Sequence, residues 1–95
     1  MAINHSNKTV GTSPTLLLTI PAGNPYTVVN IYNEDNSSIY IGDDTVTSSG
    51  ATKGLQVKKD TPTTIWLHAN DALYAVSAAG TAANAVTTVY STVLL

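Results

Sequence analysis

The sequence predicts a single all-β domain, a small antiparallel β-sandwich or jelly-roll-like barrel with a flexible N-terminal arm. Two observations carry that expectation. Short runs of β-branched and tyrosine residues alternate between apolar and polar, as strands with one buried face do. Turn signals separate them at close intervals: Pro21-Ala22-Gly23-Asn24-Pro25, Asn33-Glu34-Asp35-Asn36, Gly42-Asp43-Asp44, Ser48-Ser49-Gly50, Asp60-Thr61-Pro62, Ala69-Asn70-Asp71 and Gly80-Thr81-Ala82-Ala83-Asn84.

Taken in order, residues 1–13 are polar and show neither apolar period, so they read as an arm or a frayed end, with the domain occupying 14–95. Leu16, Leu17 and Leu18 are apolar on both faces, which fits a strand covered on each side or one lying in a subunit contact. In Tyr26–Tyr32, Val29 and Ile31 share the core face, while Val28 lies with Tyr26, Asn30 and Tyr32 on the other. Ser38–Thr47 reads as strand, tight polar turn and short strand. Ser48-Ser49-Gly50 and the residues up to Gly54 form a flexible loop before the extended run Leu55–Lys58. Thr63–His68 sets Ile65 and Leu67 against Trp66. The alanine-rich stretch Asp71–Ala79 is the one serious helix candidate, but its Tyr74-Ala75-Val76 centre between turn signals favours a strand. Val86–Leu94 continues the same texture, giving seven or eight short strands.

Composition points toward assembly. Charged residues make up 11% of the 95, against about 25% in an average soluble domain. A neutral Ser/Thr/Asn surface is less costly to desolvate and lacks the repulsion that keeps molecules apart. Four Lys or Arg residues and a net charge of −2 offer no basic face, so nucleic acid is not an expected partner. No stretch approaches the length of an apolar membrane span, and the start has no signal-peptide pattern, so no membrane partner and synthesis in the host cytoplasm are expected. Without cysteine there is neither a disulfide framework nor a thiolate.

No constellation supports catalysis. Glu34-Asp35 and Asp43-Asp44 sit in turns, where such carboxylates bond their own backbone. A calcium loop around Asp43 and Asp44 lacks EF-hand spacing, so no metal or other cofactor is expected. His5 and His68 read as an arm residue and a strand-end hydrogen-bonder. No Gly-x-Ser-x-Gly elbow is present, and Ser49–Gly54 lacks the Gly-Lys-Ser/Thr end of a phosphate loop. The expected protein is not an enzyme. The aromatic set is five tyrosines and Trp66; the tryptophan can pack in the core, meet a subunit or stack on a sugar ring.

Val28-Val29-Asn30-Ile31-Tyr32-Asn33, Ile39-Tyr40-Ile41-Gly42 with Val46-Thr47 and Gly54-Leu55, and Asp71-Ala72-Leu73-Tyr74-Ala75-Val76 before Gly80-Thr81 form a pattern over residues 25–82. In this pattern the chain resembles small virion proteins of tailed bacteriophages, and in size and β-rich character their head decoration proteins. The resemblance implies a structural protein on the capsid surface of the virion, binding the major capsid protein, commonly as a trimer at three-fold positions. The short polar N-terminus matches no pattern of that class. Candidate contact residues for the trimer or the capsid are Leu16, Leu17, Leu18, Val93, Leu94 and Leu95, because three apolar residues in a row would otherwise be exposed. The competing expectation is a receptor- or carbohydrate-binding module of a phage tail or fibre.

Overall fold

The computed structural model of the chain describes residues 2–24, 26–80 and 82–92, with backbone alone for residues 2, 82–84 and 92. Eight strands form: β1 (Ala2–Val10), β2 (Thr15–Thr19), β3 (Thr27–Asn33), β4 (Ile39–Gly42), β5 (Leu55–Val57), β6 (Thr63–Leu67), β7 (Ala72–Ser77) and β8 (Ala82–Thr92). They make two four-stranded sheets, ordered β1-β8-β3-β6 and β2-β7-β4-β5. Every pairing is antiparallel. β1 pairs with β8, β2 with β7, β3 with β6 and β4 with β5, so the chain is one long hairpin bent between β4 and β5. Contacts of β8 with β3 and of β7 with β4 roll that hairpin into a two-sheet sandwich with the connectivity of a jelly roll. Asp71–Ala79 holds a strand, β7, as its centre and flanking turns predict.

The expected arm is instead an edge strand. β1 runs in register along β8 from Ala2↔Thr92 to Lys8↔Val86, and Val10 is fully buried. Its inward positions Asn4 and Ser6 are polar and half-buried, which hides the apolar alternation that would mark a strand. Polar cross-strand pairs take the place of apolar ones: the Ser6 and Thr88 hydroxyls lie 3.0 Å apart, and Asn7 Nδ2 donates to Thr87 Oγ1 at 2.9 Å.

The core lies between the sheets. Thr27, Val29, Ile31 and Asn33 alternate inward along β3, and Val29 and Ile31 join Leu17, Leu18, Ile39, Ile41, Val57, Leu73 and Ala75 of the second sheet in one core cluster. The three leucines are resolved by a bulge. Leu16 pairs with Tyr74 and Leu18 with Leu73, which leaves Leu17 as the extra residue. Leu17 and Leu18 therefore both point into the core, while Leu16 is exposed.

One polar side chain ties the two sheets together. Asn33, at the end of β3, is fully buried. Its Nδ2 donates to the carbonyls of Ser37 (2.9 Å) and Val57 (3.1 Å), its Oδ1 accepts the Asp35 N–H (2.9 Å), and its own carbonyl accepts the Asp60 N–H (2.8 Å). Such a group is stabilising only because every polar atom has a partner.

Candidate binding surface

The two outer faces of the sandwich differ. On the second sheet, Tyr40 and Val76 would be exposed if the β4–β5 connection were extended away from the body. Instead residues 43–54 fold back across the sheet, and Val46 packs against Tyr40, Val76 and Tyr74. Bonds from Val46 N–H to the Asp43 carbonyl, Thr47 N–H to the Thr52 carbonyl and Gly54 N–H to the Thr47 carbonyl, each 3.1 Å, fix this cover. The approach is close enough to require glycine: a Cβ on Gly54 would fall 2.5 Å from Val46 Cγ2 and closer still to the Ile41 carbonyl oxygen. Lys53 places its Nζ 5.5 Å from the centre of the Tyr40 ring. The stretch expected to be a flexible loop is thus a tied cover around a single 3-10 turn at Gly50–Thr52.

No segment of the described chain folds across the first sheet in the same way. The registers set its outward residues in rows: Ile3 beside Ser91, Val28 beside Trp66, then His5, Val89, Asn30 and Thr64, then Asn7, Thr87 and Tyr32. Four of the six large hydrophobic residues exposed among those described lie on this face: Ile3 (77%), Tyr26 (65%), Trp66 (63%) and Val89 (38%). None of the outward strand positions is Lys, Asp or Glu. Its polar side chains bond sideways to one another, as in Asn7 to Thr87 and Thr64 Oγ1 to Asn30 Oδ1 (2.8 Å), which lowers the cost of taking them out of water. At one corner, Tyr32 donates its hydroxyl to Asp60 Oδ1 at 2.9 Å, and that bond, with minor help from desolvation and negative charge, raises its pKa.

At the β6 edge three rings meet. Tyr26 and Trp66 stand at 78° with centroids 6.3 Å apart, and Tyr26 lies 4.2 Å from His68. Asp71 Oδ2 accepts the His68 backbone N–H at 2.7 Å and lies 3.6 Å from His68 Nδ1. Core packing of Trp66 is excluded: Ile65 and Leu67 take the inward positions on β6 and the indole faces out.

The other candidate residues are placed as follows. Leu17 and Leu18 belong to the core and have almost no surface to give to a neighbour, whereas Leu16 is available on the edge strand β2. Val93, Leu94 and Leu95 lie outside the described residues. One member of each acidic pair bonds within its own turn. Asp43 Oδ1 accepts the Thr45 N–H (2.9 Å) and hydroxyl (2.6 Å), the hydroxyl bond first among the causes that lower its pKa, and Asp35 Oδ2 accepts the Ser37 N–H (2.9 Å). An open recess of about 440 Å³ between Asp43, Thr45, Thr52 and Lys53 contains that already engaged carboxylate and one ammonium.

Comparison with protein-family models, curated proteins and solved structures finds no match to the chain. Sequence reasoning missed the meeting of Tyr26, Trp66 and His68. Alternation along the chain sets Tyr26 opposite Val29 and Ile31 and Trp66 opposite Ile65 and Leu67, but the pairing of Val28 with Trp66 joins strands that are not consecutive, and no local signal sets that register.

Proposed function

We propose that the chain is a non-enzymatic virion structural protein that decorates the outside of a phage head and cements it, acting as a homo-oligomer, in keeping with the trimers of the class it resembles. The observation that carries this reading is the contrast between the two outer faces. One is sealed by the chain's own loop, and the other displays exposed apolar residues with no Lys, Asp or Glu among its outward strand positions.

A broad face without Lys, Asp or Glu among its outward strand positions suits extended contact with another protein better than it suits a substrate that must be enclosed in a concave site. Four strands about 4.8 Å apart and five to eleven residues long present roughly 500 Å² per copy, or about 1,000 Å² counted on both partners. That is near the lower limit for a specific interface, so one copy binds weakly and an oligomer gripping several sites at once binds firmly. Leu16, exposed on the β2 edge, is available for the contact between copies.

The test is rebinding to particles stripped of the protein. Ile3→Lys and Val89→Lys place charge on the face without touching the core, and each is expected to lower occupancy while leaving the circular dichroism spectrum unchanged. Full occupancy by the double variant would remove the face from the reading.

A further inference from the structure

The aromatic corner at the β6 edge differs from the rest of the open face. Tyr26 and Trp66 pack against each other, yet each keeps more than half of its surface in water. Burying a ring of this size is strongly favourable, and the inward neighbours Ile65 and Leu67 show that the strand has inward positions to fill. The corner is also polar at its rim. The His68 ring lies against Tyr26, and the half-exposed Asp71 carboxylate is held in place through the His68 N–H. Asn70, with φ of 69°, makes the turn that carries Asp71 back beside His68.

The geometry points to a binding site for a neutral hexopyranose. The axial C–H face of the sugar lies on the indole of Trp66. Its hydroxyls reach the Asp71 carboxylate, which accepts, and the Tyr26 hydroxyl, which donates or accepts. Charge selects against phosphorylated ligands and nucleotides: Asp71 stands at the rim, and no lysine occurs in β3, β6 or the turn at 68–71. The site shares the open face with the proposed shell contact but not the residues that test that contact. Its rings lie by the edge strand β6, whereas Ile3 lies on the opposite edge and Val89 on β8.

Trp66 is the one tryptophan of the chain, so its fluorescence reports on this corner alone. The free protein is titrated with methyl β-galactoside, methyl β-glucoside and methyl α-mannoside, with sorbitol and glucose 6-phosphate as controls. A saturable change is expected for at least one pyranoside with a dissociation constant on the order of millimolar, as suits one stacking surface on an open site. Sorbitol should give none, and the phosphate ester should bind more weakly than the neutral sugars. Tyr26→Ala should weaken binding about fivefold, and Trp66→Ala should abolish saturation-transfer NMR signals from the sugar, both with unchanged melting temperature. No saturable response to any pyranoside, or an equal response to sorbitol, would overturn the site and leave the corner as a protein contact. Neither result bears on occupancy of the Ile3 and Val89 variants on particles.

Discussion

Replacing Asn33 by alanine tests whether one buried amide fastens the two sheets. The substitution removes two donated bonds, to the Ser37 and Val57 carbonyls, and one accepted bond, from the Asp35 N–H. At about 1 kcal/mol per bond the loss is about 3 kcal/mol, and the stranded partners and the cavity raise it toward about 5 kcal/mol. Against a total stability of about 5–15 kcal/mol, this is a large share. For a domain of this size it lowers the melting temperature by at least about 12 °C. Urea unfolding followed by far-ultraviolet circular dichroism is the suitable assay, because the exposed Trp66 reports poorly on the core. Asn33→Asp keeps the acceptor for Asp35 but puts a carboxylate where the amide donated. It should be at least as damaging at neutral pH and recover partly as the pH falls, since burial raises the carboxyl pKa and the protonated form is the one the site tolerates. A loss below about 1 kcal/mol for Asn33→Ala would refute the reasoning.

Two further perturbations address the loop that seals the second sheet. Gly54→Ala forces a methyl group against the Ile41 carbonyl and Val46, and is expected to cost about 1–3 kcal/mol, whereas Gly11→Ala, with no atom within 4 Å of its added Cβ, should cost far less; equal unfolding midpoints would contradict the close packing. Thr45→Ala removes the hydroxyl bond that lowers the Asp43 pKa and retains the backbone one. The folded-state value lies below the unfolded value of about 3.9, so the associated stability is present above that pH and is lost as the pH falls through the folded value. In the variant, the Asp43 midpoint measured by NMR should move up toward the ordinary carboxylate range, and an unchanged midpoint would assign the shift to another cause.

Much of the fold is legible along the chain because strand alternation is local. Val29 and Ile31 inward, Tyr32 outward, and the strand over Tyr74-Ala75-Val76 all follow from period-two patterning and the turns that bound it. β1 is not legible, because its inward positions Asn4 and Ser6 are polar and its partner β8 is more than 70 residues away. Leu16–Leu18 show an intermediate case: the run of three announces burial, but only the bulge against β7 determines that Leu17 and Leu18 turn inward and Leu16 outward. The candidate surface depends on long-range register. The alternation that sets Trp66 opposite Ile65 and Leu67 is visible, while its outward direction, its meeting with Tyr26 and the difference between a covered and an open sheet require the tertiary pairing.

The most direct test of the proposed cementing role is the copy number of this chain relative to the major capsid protein, measured by quantitative mass spectrometry on purified particles of the kind in which the proposal places it. The proposal predicts a number proportionate to the capsid protein, as oligomers set on repeated positions of the shell require. A handful of copies, or none, would contradict it.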